Sequence, residues 1–308
     1  MTRYIIQRLI YMIITMFLIA TFTFFLMKFL PGTPLTAADK LSEAQQAIVL
    51  EKYGLNDPVP VQYFDYITGL FQGDLGISFQ FDNREVSTII MERMGPSLQL
   101  GFQAMLIGTI FGMLLGLVSA IYHNGFLDYG SVFLAVIGKS IPSFVFAGIL
   151  QYFIAVKLGW FPVALWEGWE YSVLPTVALA IFPIAVAARF MRTEMLEVLG
   201  SDYITTARAK GVNKFGVVFK HGVRNALIPL VTVLGPLAVS LMTGTLVIEN
   251  IFAVPGIGEQ FVKAINTNDF PIIMGTTLLL AFLFIFIILV IDLLYGVIDP
   301  RIRLAEGE

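Results

Sequence analysis

The chain has 308 residues, 57% hydrophobic and only 13% charged, about half the roughly 25% of an ordinary soluble domain; a soluble protein of this length could not cover its surface with so few charges. The net charge of −3 is too small to suggest a nucleic-acid partner. The absence of cysteine excludes disulfides, thiolate metal sites and thiol catalysis, and two histidines, His123 and His221, leave little for a transition-metal site.

Six apolar runs stand out: 9–30, 97–121, 131–157, 173–191, 227–250 and 272–298. A membrane-crossing helix needs about 20 apolar residues. The pattern predicts an all-α polytopic membrane protein with about six transmembrane helices. The first run follows Arg3 and Arg8, as the apolar stretch of a signal peptide would. It is longer than the roughly 7–15 residues of such a stretch, and Thr36-Ala37-Ala38 is a poor cleavage site, so it is expected to be a retained helix.

The hydrophilic segment 31–96 carries nine acidic and four basic residues. A structureless connection of that length is uncommon, so it is expected to fold. Gly69, Gly73, Asp74 and Gly76 supply turn chemistry there. The second run places Gly108, Gly112 and Gly116 on one helix face, where glycines let another helix approach closely. In the third run Lys139 either snorkels to an interface or lines a pathway. The fourth run is short, contains Pro183 and ends at Arg189. The segment 192–226 reads as two short helices. Asp202 can cap the first and Gly211 can end it; Asn213 can cap the second, which runs towards Asn225 before Pro229. Glu249, near the end of the fifth run, is expected at an interface, and Asp292, in the sixth, is expected to pair with an arginine. His123 and His221 are expected on solvated connections.

Lys and Arg near helix ends set the orientation. With the N-terminus inside, Arg3, Arg8, Arg189, Arg192, Arg208, Lys210, Lys214, Lys220, Arg224, Arg301 and Arg303 are cytoplasmic. The outer side keeps Lys28, Lys40, Lys52, Arg84, Arg93, Lys157 and Lys263. Four of these seven lie in the long segment 31–96, and long loops count little. Both termini are therefore predicted to be cytoplasmic.

Enzyme and nucleotide patterns fail. No His-Glu-x-x-His is present. Gly138-Lys139-Ser140 ends like a phosphate-binding loop, but Phe133 stands where its first glycine belongs. Gly211 and Gly216 have the loop's spacing, yet Val217 and Val218 follow instead of Lys and Ser or Thr. Gly256-Ile257-Gly258 lacks a third glycine and a preceding strand.

The ordered motifs carry a resemblance along the whole chain. Tyr203-Ile204-Thr205-Thr206-Ala207-Arg208-Ala209-Lys210-Gly211, with Arg224-Asn225-Ala226-Leu227-Ile228-Pro229, is similar to the EAA loop of ABC importer permeases. Thr205 and Thr206 replace the first two residues of the generic Glu-Ala-Ala pattern, and the spacer to Pro229 is longer. Both departures are usual in the peptide/nickel branch. Phe29-Leu30-Pro31-Gly32-Thr33-Pro34, Tyr53-Gly54-Leu55, Gly73-Asp74-Leu75-Gly76-Ile77-Ser78, Ser140-Ile141-Pro142-Ser143-Phe144, Gly159-Trp160-Phe161-Pro162, Pro255-Gly256-Ile257-Gly258 and Asp299-Pro300-Arg301 resemble that branch too. The series is close to the B-type subunit of oligopeptide and dipeptide permeases.

The resemblance implies one transmembrane permease domain over 1–308, with an extracytoplasmic insertion at 31–96 and a cytoplasmic coupling loop at 192–226. It implies a multi-pass protein of the bacterial cytoplasmic membrane, importing oligopeptides, with dipeptides or nickel as alternatives. Implied partners are a second homologous permease, two ABC ATPase subunits and an extracytoplasmic peptide-binding protein. ATP and Mg would be bound by the ATPases, with no cofactor or catalytic site in this chain. Residues 203–211 would form the ATPase-coupling helix. The competing class is an ATP-independent secondary transporter, which ordinarily carries more intramembrane ionisable groups than this chain has.

Overall fold

The computed structural model describes residues 2–29, 50–51, 54–81 and 84–298, and the side chains of these apart from 2–5, 228 and 292–298. The motifs at 30–34, 53 and 299–303, and the side chain of Asp292, lie outside the described residues. The described chain is helical: α1 (Thr2–Phe29), α2 (Val59–Phe71), α3 (Val86–Ile121), α4 (Phe126–Ser140), α5 (Ser143–Leu150), α6 (Trp169–Leu199), α7 (Asp202–Ala209), α8 (Arg224–Met242), α9 (Leu246–Ile251), α10 (Ile257–Asn266) and α11 (Phe270–Ile298). Two π-helical segments, Gln151–Lys157 and Val217–Val223, extend α5 and lead into α8.

Among the described residues, four helices are long and apolar enough to cross a membrane: Ile6–Phe29, Val86–Ile121, Trp169–Leu199 and Phe270–Ile291. Two bent pairs bring the number to six if each is one span. The first is Phe126–Ser140 with Ser143–Lys157, bent by 103°. Ile141 before Pro142 is extended at φ −82°, ψ 121°, because the proline ring crowds the preceding residue out of the helical region. The third apolar run is therefore two helices broken at Ile141-Pro142, not one continuous helix. The second pair bends by 50° at Pro229, and the helix continues past that proline instead of stopping short of it. The fifth run also divides. α8 ends at Met242, Gly244 turns the chain at φ +95°, and Glu249 sits on the separate α9.

The chain forms two compact units, each with its own buried core. One comprises Met1–Gly95 and Pro255–Ile285. Its core gathers Met27, Val86, Ile89, Ile90, Ile257 and Ile272. Phe24 of α1 packs its ring on Tyr63 and Tyr66 of α2, at 5.4 and 5.5 Å. The Lys28 ammonium donates to Gln62 Oε1. The turn after α2 is fixed by Asp269, which is fully buried. Its carboxylate accepts from the Ser78 hydroxyl at 2.5 Å and from the Phe79 and Gln80 N–H groups at 3.3 and 3.2 Å. The described part of segment 31–96 is thus folded.

The other unit comprises Pro96–Val254 and Phe286–Glu308. Leu100, Ala104, Leu174, Ala178, Ile248 and Phe252 form one of its cores, and Leu117, Met191, Met195, Ala226 and Leu230 another. Ala104, Ala178 and Ala226 among them let membrane helices approach closely.

Candidate functional site

The 200–225 connection lies wholly in the second unit. Asp202 is not the cap expected: Ser201 holds that position, extended at ψ 155°, and Asp202 is the first helical residue of α7. There its charge still favours the positive end of the helix dipole. Ala207 and Ala209 are strong helix formers.

α7 ends in a Schellman motif. Gly211 takes φ +79°, its N–H donates to Arg208 O at 3.0 Å, and the Val212 N–H donates to Ala207 O at 3.2 Å. Asn213 then caps the next turn, its Oδ1 accepting from the Gly216 N–H at 2.7 Å.

The faces of α7 differ. Ile204 and Ala207, three residues apart, are buried, and the helix packs on the π-helical segment Val217–Val223. Tyr203, Thr205, Thr206, Arg208, Ala209, Lys210 and Gly211 are exposed. The Asn225 amide donates to the Tyr203 hydroxyl at 2.9 Å, tying α7 to the first turn of α8. The π-helical segment also meets α6 closely: a Cβ on Gly222 would lie 2.9 Å from the Met195 methyl. α7 thus rests on a segment that is itself packed against both α8 and α6.

Gly108, Gly112 and Gly116 face α6. A Cβ at Gly108 would stand 2.5 Å from Pro183 Cβ, at Gly112 2.6 Å from Ala187 Cβ, and at Gly116 2.5 Å from Ala188 O. A Cβ at Gly101 would meet Leu241 O of α8 at 2.5 Å.

Three carboxylates are buried among the described residues. Asp128 is surrounded: Arg192 donates to both its oxygens, from Nε at 2.7 Å and Nη2 at 2.9 Å. The Ser119 hydroxyl and the Asn124 N–H add bonds of 2.5 and 2.9 Å. His123 is not merely solvated, because its Nδ1 lies 3.0 Å from Asp128 Oδ2 and 3.2 Å from Arg192 Nη2. Glu249 is buried within the protein, 1% exposed, and accepts from the Ser97 hydroxyl at 2.6 Å. Asp269 is the third. Among the described residues, no three His, Cys, Asp or Glu side chains converge to hold a metal ion.

Two family models cover almost the whole chain. Residues 108–304 match the binding-protein-dependent transport system inner membrane component, and residues 1–101 match the N-terminal part of such membrane components. The chain belongs to this family. The permease is 46% identical over 304 residues to the dipeptide transport system permease protein DppB of Lactococcus lactis, covering 99% of this chain and 100% of that one. It is 44% identical to DppB of Bacillus subtilis, with 99% of each chain covered. It is 38% identical to the oligopeptide transport system permease protein OppB of Haemophilus influenzae, covering 98% and 100%. Its fold is similar to the MetNI methionine ABC transporter, at TM-score 0.56 and 19% identity over 69% of this chain and 97% of that one. An amino acid ABC transporter gives TM-score 0.53 at 14% identity, over 68% and 94%. The permease is a multi-pass bacterial membrane protein and a non-enzymatic component of an ABC importer.

Proposed function

We propose that this permease forms part of the path of an ATP-driven peptide importer, with residues 203–211 engaging an ATPase subunit. The single observation that carries the reading is the architecture of α7. It is a short helix, ended by Gly211 in a left-handed conformation, with an outward face of Tyr203, Thr206, Arg208 and Lys210 and an inward face seated on the segment leading to α8. Such a helix can sit in a groove of a partner and pass its displacement to α6 and α8. ATP binding would close two ATPase subunits, move α7, and alternate access to the path. The ATPases would hold ATP and Mg. A second, homologous permease would complete the path, and a peptide-binding protein would deliver cargo on the opposite side. Both termini and α7 would be cytoplasmic, in line with the Lys and Arg distribution.

Peptides are the proposed cargo. The sequence motifs put oligopeptides first. The identities of 46% and 44% to the dipeptide permeases, against 38% to the oligopeptide permease, favour dipeptides as the second reading. Co-purification through a tag on this chain should recover two ATPases and a second permease. Uptake of labelled peptides of graded length by the purified complex then sets the cargo. Recovery of the chain alone in a transport-competent form would refute the reading.

A further inference from the structure

Lys139 and Arg189 are not explained by packing or by the α7 mechanism. Both line one cavity of about 880 Å³ between α4 and α6, within the roughly 300–1,000 Å³ of sites that hold small molecules. Its walls are otherwise largely apolar, with Val132, Val136, Ala185 and Val186. The hydroxyls on the lining are committed: Ser119 donates to Asp128, Ser131 to Leu127 O and Thr193 to Arg189 O. Arg192 is neutralised by Asp128. Among the described residues neither Lys139 nor Arg189 has an ion-pair partner. Glu194 is the lining's one carboxylate, so the free charges leave an excess of positive charge.

The depth of the site matters. Asp128, at the start of α4, meets Arg192. Gly138, next to Lys139, packs on Ile181 and Ala185, where its Cβ would lie 3.0 Å from Ile181 O and 3.2 Å from Ala185 Cβ. These residues flank the midpoint of the candidate span Trp169–Leu199. At about 1.5 Å per residue, they lie roughly 10–16 Å along α6 from Arg192. Arg189, three residues from Arg192, sits nearer the proposed cytoplasmic end, so the cavity reaches from that end towards the middle of the span; a cation at the depth of Lys139 is costly and faces a pathway or a partner. An anionic headgroup stays at the interface, whereas cargo passes the middle.

We propose that the α4–α6 cavity receives the free carboxylate end of a peptide in transit, with Lys139 and Arg189 as its charge partners. This rests on the peptide-importer reading and adds what the path recognises. The apolar walls accept varied side chains, and the two cations select the one group that every unmodified peptide carries.

The test uses the whole complex in vesicles, with pairs of labelled peptides of identical sequence, one with a free C-terminal carboxylate and one amidated. Each is supplied at saturating binding protein, so that delivery does not limit the rate. The wild-type complex should import the acid about tenfold faster than the amide, the size of one charge-assisted contact. Lys139→Gln with Arg189→Gln should bring the acid down to the amide's rate and leave the amide unchanged. Lys139→Arg with Arg189→Lys should restore the preference. Equal loss for both peptides would assign these cations to structure. A preference that persists in the Gln variant would place recognition elsewhere, including on the second permease. A rate that follows anionic lipid content and not the peptide terminus would assign the site to a headgroup. Any of these overturns the proposal, as does equal import of both peptides by the wild type. Import of neither peptide would bring down the importer reading itself, and this inference with it.

Discussion

Gly211 offers the sharpest perturbation of the coupling segment. Its φ of +79° is a conformation that L side chains rarely adopt, yet no atom lies within 4 Å of the position a Cβ would take. Substitution there is therefore a pure test of backbone conformation, free of steric collision. A side chain with a Cβ costs about 1–2 kcal/mol in the left-handed region. Asn is several-fold enriched there, and a β-branched residue is a genuine outlier. If Val instead leaves that region, the strain is relieved but the two hydrogen bonds of the Schellman motif are lost, at about 1 kcal/mol each. Gly211→Val is thus expected to cost about 2 kcal/mol locally by either route, enough to favour redirecting the segment after α7 without touching a membrane helix. The damage should rise in the order Asn, Ala, Val. That order separates conformation from bulk, because Asn is larger than Ala yet should be milder. The assay is peptide uptake per ATP hydrolysed by vesicles containing the full complex, normalised to assembled protein. Gly211→Val should assemble but lose most uptake, with ATP hydrolysis low or no longer stimulated by peptide. Normal coupling in the Val variant, or an effect ranked by side-chain volume, would refute the reasoning.

Other outcomes follow from the packing. Gly112→Leu should reduce recovery of assembled complex far more than Leu114→Ala, because a side chain at 112 collides with Ala187 and Ile184 O while Leu114 is exposed. Asp128→Ala removes the acceptor of Arg192, whose guanidinium is 26% exposed and can still be hydrated, so the loss is expected near the about 1.5–3 kcal/mol of a charged hydrogen bond; a fall in the thermal midpoint of the detergent-solubilised complex would register it. Asp269→Ala removes the acceptor for Ser78, Phe79 and Gln80, so amide exchange at 78–81 should accelerate while exchange in α3 is unaltered. With no native cysteine to interfere, Gln72→Cys should react with an impermeant thiol reagent from outside the cell and Thr205→Cys only after the membrane is opened. Labelling of both from outside would invert the proposed orientation.

Local signals carried far along this chain, and long-range pairs did not. Apolar runs marked the spans, four-residue spacing marked the glycines that meet α6, and Gly211 and Asn213 marked the turns around α7 because capping is settled within a few residues. The break at Ile141-Pro142 was also written locally, but the uninterrupted apolarity of 131–157 concealed it. Thr243-Gly244-Thr245 divided the fifth run for the same reason. Asp128 and Arg192 are 64 positions apart, Ser97 and Glu249 152, and Ser78 and Asp269 191. Nothing in the neighbourhood of either partner tells a buried, satisfied carboxylate from a solvated one. Lys139 lay between the two: its place in an apolar run was evident, but the cavity it shares with Arg189 depends on how α4 lies along α6.

The most direct measurement of the central claim is the energy source of uptake. The assembled complex is placed in sealed vesicles, with ATP and Mg on the side of α7 and peptide-loaded binding protein on the other. The account predicts that labelled peptide accumulates only when ATP is present and hydrolysed, with imposed proton or sodium gradients giving none. Accumulation driven by an ion gradient without ATP would contradict it.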